Sequence, residues 1–328
     1  MKKILVIRFS SIGDIVLTTP VLRCIKRQIP GSELHFVTKK SYSQIVADNP
    51  FIDKSFFFDN DLFALARKLK TEKYSLIIDL HNNLRSRILS FLLGVKVKRF
   101  NKLNIAKWLL VNFKIDTMPD VHIVDRYLNT AKTLKVKNDG AGLDFFIYDN
   151  LIVPDSVMLP QEPFIAWAIG GKHSTKIFPA EKIRNIVRSV KFPFVLLGDK
   201  YDVDRGRDIA DGNSHVTNAC GLIDLSGSAS IVKNSSLVIT NDTGIMHIAA
   251  AFKKKIISVW GSTVTGFGMY PYLPDNKKHY SRIVEIKDLR CRPCSKIGYK
   301  KCPKKHFKCM EDISEVRIIT EINHLLEI

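Results

Sequence analysis

The chain has 328 residues, 45% of them apolar and 25% charged, which is enough for two domains with their own cores and is not the composition of a disordered chain. Fifty-one Lys and Arg against 32 Asp and Glu leave a formal charge of +19. Such a surface suits nucleic acid, an anionic membrane or phosphorylated small molecules, with plain solubilisation as its other use. The basic residues are spread along the chain without a long block of like charge, which speaks against a nucleic-acid-binding arm.

The apolar run Ile4–Ile7 is cut by Arg8 and again by Gly13-Asp14. No small-residue cleavage site follows, so a secretory signal is not expected. No stretch approaches the roughly eighteen apolar residues of a membrane span. The expectation is a cytoplasmic protein whose membrane contact is peripheral.

Lys3 to Ile7 reads as a strand buried on both faces. A helical pattern follows from Ile15 to Gln28, and Pro20 should kink or delay it. Leu34 to Val37 and Ser75 to Leu80 read as further strands, the latter leading into a helix from Leu84 to Leu93. Strand and helix in alternation predict a parallel sheet wrapped by helices. The right-handed crossover rule puts Asp14 and the His81 to Arg85 segment on one sheet edge.

Between about Gly140 and Pro163 the pattern weakens and prolines cluster, so the linker is placed there. The second half repeats the grammar. Phe164 to Ile169, Phe194 to Leu197, Leu237 to Thr240 and Lys255 to Trp260 are expected strands, with a helix opening near Thr243. Glu315 to Leu326 reads as a helix. The division expected is 1–155, 156–312, and a terminal helix at 313–328 that packs back on the first domain. Two such domains would face each other across a cleft lined by their loop edges.

Three segments carry chemistry. Asn241-Asp242-Thr243-Gly244 joins a buried strand to a helix start, where free N–H groups and the dipole favour a phosphate; an ordinary N-cap uses the same residues. His247 lies one turn on. Gly170 to Pro179 follows the first strand of the second half and carries two lysines, a histidine and two hydroxyls, a set that suits a diphosphate. Neither a P-loop nor a dinucleotide fingerprint is present. Ser10-Ser11-Ile12-Gly13-Asp14 offers a carboxylate that could take a proton from a hydroxyl, or merely cap a helix. Arg85 and Arg87 could hold an acidic ligand or form a solvated helix face.

Taken together, K-I-L-V-I-R-F-S-S-I-G-D-I-V-L-T-T-P, I-I-D-L-H-N-N-L-R-S, K-I-F-P and N-D-T-G-I-M-H-I-A-A-A resemble the ADP-heptose–lipopolysaccharide heptosyltransferases, glycosyltransferase family 9. The likeness runs nearly end to end. It implies a GT-B fold of two facing Rossmann-like domains. It also implies metal-independent, inverting transfer of a sugar from an ADP-sugar to a phosphorylated lipid A–Kdo-type acceptor, with no cofactor. By matching position, the resemblance makes Asp14 the general base and has Lys176 bind the donor phosphates. Asp242, Thr243, Gly244 and His247 form the donor site, and Asp202, with Asp204 as rival, holds the ribose. Ser11, Gly13, His81 and Arg85 are assigned to the acceptor. The expected protein is a monomer at the cytoplasmic face of the inner membrane that binds no nucleic acid.

Cys291, Cys294, Cys302 and Cys309 fall within nineteen residues. A structural zinc and free or redox-paired thiols are both open readings. Cys24 and Cys220 read as buried apolar positions. Two rival functions remain. One is a GT-B enzyme working on a uridine nucleotide. The other is an RNA-binding module, for which the 291–309 stretch is short of aromatic residues.

Overall fold

The computed structural model describes residues 2–147, 153–154 and 157–328. Two compact units divide the chain, one of residues 1–103 and 121–148, the other of 104–120 and 149–328. The boundary expected between 155 and 156 lies outside the described residues.

The first unit begins with β1 (Lys3–Ile7). The expected helix after it is two helices, α1 (Ile12–Val16) and α2 (Thr19–Gln28). Pro20 stands in the first turn of α2, where its missing N–H costs nothing. There follow β2 (Glu33–Lys39), β3 (Lys54–Phe58), α3 (Leu62–Lys70), β4 (Leu76–Asp79), α4 (Leu84–Leu93) and β5 (Val97–Arg99). The sheet order is β3-β2-β1-β4-β5, with every pairing parallel. Leu5, Ile7, Ile77, Leu65, Leu69 and Leu89 meet in one apolar core, each such side chain contributing roughly 1.5–3 kcal/mol on burial.

Helix α5 (Asn104–Phe113) belongs to the second unit, and α6 (Ile123–Leu128) returns to the first. The segment after α6 is tied down by Arg23 of α2. Its guanidinium is 2% exposed, grips Asp139 through two contacts of 2.7 Å, and also pairs with Asp144 and the Gly142 carbonyl.

The second unit continues with β6 (Ile165–Ala168), α7 (Ala180–Ser189), β7 (Phe194–Leu197), α8 (Val203–Ala210), β8 (Val216–Asn218) and α9 (Leu225–Asn234). It ends with β9 (Leu237–Asn241), α10 (Gly244–Ala251), β10 (Lys255–Trp260), β11 (Ser281–Glu285), α11 (Lys308–Glu311) and α12 (Glu315–Leu326). Its sheet runs β11-β10-β9-β6-β7-β8, again all parallel. Helix α12 was expected to pack on the first domain. Instead Ile318, Ile322 and Leu325, spaced to share one helical face, join Ile183, Ile257 and Val284 in the core of the second unit. This is the two-domain architecture that the motifs implied.

In both units the strand order reverses at the first strand. Strand β1 has β2 on one side and β4 on the other, and β6 has β7 on one side and β9 on the other. Crossovers leave such a strand in opposite directions, so a crevice opens at its carboxyl end.

Arg23 holds Asp139 well below the usual carboxylate range, at about 2, chiefly by direct hydrogen bonds. The stability tied to Asp139 is fully present above the ordinary Asp value of 3.8 and lost as pH falls through about 2. Arg23→Ala should cost about 3 kcal/mol at neutral pH, because two carboxylates lose their cation. In urea titrations the gap between wild type and variant should narrow as pH falls toward 2.

Candidate functional site

At the carboxyl end of β1 stands Arg8, a charged residue only 7% exposed. Its guanidinium donates to the Leu80 carbonyl at the end of β4 and to the Ser10 carbonyl at 2.8 Å, and pairs with Asp14 Oδ1 at 2.6 Å. The ring of Tyr127 lies 5.8 Å from it. Arg8 therefore joins the two loops that flank the first crevice.

Asp14 sits in the first turn of α1, where its Oδ2 accepts from the Ser11 N–H at 3.1 Å and the Ser11 hydroxyl at 2.8 Å. Burial would raise this carboxyl, but the Arg8 charge and the two Ser11 donors outweigh it and hold the group below the usual range. The side chain keeps 21% of its surface exposed. Capping and access to a ligand thus coexist in one residue. Gly13 is buried in the same turn, and Ser11 is exposed.

Across the crevice, buried Asp79 shapes the loop after β4. One oxygen accepts from the His81 and Asn82 N–H groups at 3.0 and 2.7 Å, the other from the Ser86 hydroxyl at 2.8 Å. His81 meets Phe9 edge-on at 5.4 Å, and its Nδ1 is buried with no hydrogen-bond partner. Burial, reinforced by the charges of Arg8 and Lys102, pushes the imidazole down to about 3, so it is neutral at physiological pH. Arg85 is exposed, with its guanidinium 4.8 Å over the Phe58 ring.

In the second unit, the crevice between β6 and β9 is flanked by the Gly170-Gly171 loop and by Asp242-Thr243. Asn241, 1% exposed, ties these loops together: its amide donates to the Gly170 carbonyl at 3.1 Å and its oxygen accepts from the Phe178 N–H at 3.2 Å. Lys176 reaches across to Asp242, with Nζ 2.5 Å from Oδ2 and 3.3 Å from the main-chain carbonyl. Thr263, after β10, donates to the same carboxylate oxygen at 2.8 Å. Thr243 is the N-cap of α10, yet its side chain makes no capping bond. The amides of that first turn, beginning at Gly244, therefore have no side-chain cap. His247, one turn further, is 2% exposed.

Asp202 precedes α8 and is 7% exposed. Burial raises its carboxyl, which accepts from the Asp199 N–H at 3.1 Å. It lies against Gly170 and Gly198, at the ends of β6 and β7. Asp204 is 90% exposed at its side chain and pairs with Arg207 on the helix surface. Of the two, only Asp202 is turned to the strand ends.

The cysteine segment braces the Lys176 loop. Thr175 donates its N–H to the Tyr299 carbonyl at 3.1 Å, and its hydroxyl oxygen accepts from the Tyr299 N–H at 2.7 Å. Gly298 has φ of +104°, and a Cβ there would fall 2.7 Å from that of His173, so only glycine fits. Arg292 binds the Gly261 and Thr263 carbonyls and Glu285. Burial, aided by neighbouring Cys291 and Cys302, pushes the Cys294 thiol up to about 11, and burial pushes Cys309 up to about 12. Both are protonated at neutral pH, and a metal would have to displace those protons. Cys291 Sγ lies 3.8 Å from His306 Nε2. Glu33, His35 and Glu72 also cluster closely enough to ligate an ion. They sit at the amino end of the first sheet, however, and are neutralised by Lys3 and Lys54.

The structure thus gathers Ser11, Gly13, Asp14 and His81 around Arg8, and Lys176 with Asp242, Thr243 and Gly244. Sequence reasoning missed the supporting roles of Arg8 and Thr263, and named Asn241 only as part of the strand-to-helix segment. Arg8 alone carried a signal, as a charge ending an otherwise apolar strand.

Residues 62–300 match the family described as glycosyltransferase family 9 (heptosyltransferase). Lipopolysaccharide heptosyltransferase 1 of Campylobacter coli is 24% identical over 80% of this chain and 84% of its own length. A glycosyltransferase family 9 structure from Veillonella parvula superposes with a TM-score of 0.80 at 21% identity, covering 99% of this chain and 97% of that one. An E. coli heptosyltransferase solved with ADP-2-deoxy-2-fluoro heptose gives a TM-score of 0.71 at 18% identity, over 98% and 99% of the two chains.

Two adjacent glycines test the second crevice. A Cβ on Gly170 would lie 1.9 Å from Asp202 Oδ2, whereas one on Gly171 meets nothing closer than 3.4 Å. Gly170→Ala should cost about 1–3 kcal/mol, and Gly171→Ala well under that, in thermal melts run side by side.

Proposed function

Since the chain belongs to glycosyltransferase family 9, we propose that it transfers heptose from ADP-heptose to a phosphorylated lipid A–Kdo-type acceptor, inverting the anomeric centre. The observation that carries this reading is the pairing of Lys176 with Asp242 beside the uncapped start of α10, at the strand-order reversal of the second unit. That is where a parallel sheet binds a nucleotide. The choice of an ADP-sugar is supported by the heptosyltransferase solved with an ADP-sugar analogue.

An ammonium carries three donors. Two of those on Lys176 face the carboxylate and carbonyl of Asp242, which leaves one for the donor diphosphate. The α10 amides and the Thr243 hydroxyl supply further donors to the same group. Asp242 and His247 contact the sugar side, and Asp202 takes the ribose hydroxyls. On the first unit, Ser11, Gly13, His81 and Arg85 hold the acceptor. Asp14 takes the proton of its hydroxyl as that oxygen bonds to the anomeric carbon and the bond to the diphosphate oxygen breaks. The leaving ADP carries away the bonding pair, and Lys176 with the helix amides meets its growing charge. Those fixed donors make a metal unnecessary for the transfer. Held ionised by Arg8 and Ser11, Asp14 is ready to accept a proton at neutral pH.

The direct test is heptose transfer by purified protein from ADP-heptose to a lipid A–Kdo acceptor, with and without a chelator. Product in both is expected, and failure with every nucleotide sugar sinks the reading. ADP should raise the melting temperature more than UDP does. Asp14→Asn should lower kcat by about 10²–10⁴, and Lys176→Ala by roughly 10²–10³ with weaker donor binding. Arg8→Gln removes the cation that helps hold the Asp14 carboxyl down, and with only the Ser11 donors left to oppose burial the group rises. The acidic limb of the pH–rate profile should move to higher pH.

A further inference from the structure

Helix α4 is apolar on its outward face as well as its inward one. Its inward face carries Ser86, at 0% exposure, and Ser90, at 2%, beside Leu89 and Leu93. The serine hydroxyls are satisfied by Asp79 Oδ2 and by the Ser86 carbonyl, each at 2.8 Å. The outward face carries Leu84, Ile88 and Phe91, at 75%, 38% and 84% exposure. Their spacing, i, i+4 and i+7, makes one continuous apolar stripe. A surface helix in water keeps its outward face polar, and an exposed stripe of this kind marks an interaction face.

The charges around the stripe say what covers it. Residues 80–103 contain six Lys or Arg and no Asp or Glu. Arg85 and Arg87 flank the stripe on α4 itself, and both are exposed. Helix α3, packed beside α4, exposes Phe63 at 65% together with Arg67, Lys68 and Lys70, and has no acidic residue of its own. On α4 itself the apolar stripe is flanked by cations and no acid, while α3 is preceded by one exposed acid, its N-cap Asp61, against three exposed cations; an apolar face with such a cationic excess is the composition of a helix that lies in the headgroup region of an anionic bilayer. A second copy of this chain would bring a like-charged rim against this one.

We propose that the outward face of α4 is the surface by which this protein docks on an anionic membrane. The proposal rests on the reading that the acceptor is lipid-borne. Helix α4 starts directly after the His81–Asn83 loop at the carboxyl end of β4. With Leu84, Ile88 and Phe91 among the acyl chains, the crevice holding Asp14 and His81 is kept close to the lipid plane. A headgroup then reaches it without the acyl chains leaving the bilayer.

The test is flotation of the full chain with phosphatidylcholine vesicles, with or without phosphatidylglycerol, across a range of salt. The wild type should float with the anionic vesicles and lose affinity as salt rises. Leu84→Ser combined with Phe91→Ser should bind those vesicles at least about tenfold more weakly, with an unchanged melting temperature and unchanged turnover on a de-acylated, water-soluble acceptor. A double variant that floats like the wild type overturns the proposal, as does a wild type that ignores anionic vesicles. Concentration-dependent dimerisation of the wild type that the variant loses also overturns it, by assigning the face to a second copy. A protein that floats but transfers nothing leaves the docking face standing and sinks the transferase reading; one that transfers but does not float does the reverse.

Discussion

A parallel sheet that grows in both directions from its first strand cannot cover that strand's carboxyl end, because the two crossovers depart to opposite sides. Both units of this chain obey that constraint, with β1 and β6 as the strands left uncovered. Most of the residues to which the proposed reaction gives roles lie on the two loops bordering each opening. Asp14 and His81 share one opening, Lys176 and Asp242 the other. Neither pair is close in sequence, and the topology alone makes them neighbours.

Each opening also holds a partly buried ion pair that is used in opposite senses under the proposed roles. In the first, Arg8 supports and Asp14 does the chemistry. In the second, Asp242 supports and Lys176 meets the charge of the leaving group. Such pairs add little to net stability, since removing two charges from water costs about what their attraction returns. Their value here is positional. Arg8 fixes the direction of the Asp14 carboxylate from one side while Ser11 fixes it from the other. Asp242 is likewise held between Lys176 and Thr263.

Much of this was legible in the residues. Strands buried on both faces, such as Lys255–Trp260, announce themselves as apolar runs, and α4 and α12 fall on the residues that their periodicity predicts. Strands β3, β5, β8 and β11 escaped notice because they are the edges of their sheets, less buried than the central strands and carrying charges such as Lys54 and Arg282 in place of an unbroken apolar run. The packing of α12 was misjudged, since an apolar stripe says that a helix has a partner and not which one. Asp14, Lys176 and Asp242 were singled out through motifs. Arg8, which pairs with Asp14, and Thr263, which donates to Asp242, were not, because a supporting residue is defined by a distance that spacing along the chain does not encode. Asp202 is buried and Asp204 exposed, a difference that the sequence of two aspartates two residues apart does not reveal.

The brace on the Lys176 loop has a consequence in time. Thr175 is held by Tyr299, 124 residues later in the chain, and Arg292 secures the carbonyls of Gly261 and Thr263 that lie between them in sequence. A ribosome that has finished β6 through β10 has therefore made every strand bordering the second opening, and yet none of the brace. Those strands can pair as they emerge, but the loop bearing Lys176 stays unset until translation is nearly over. The order of synthesis thus puts the strands of the second sheet ahead of the contacts that set the loop bearing Lys176, and α12, which completes the core beneath that sheet, comes later still.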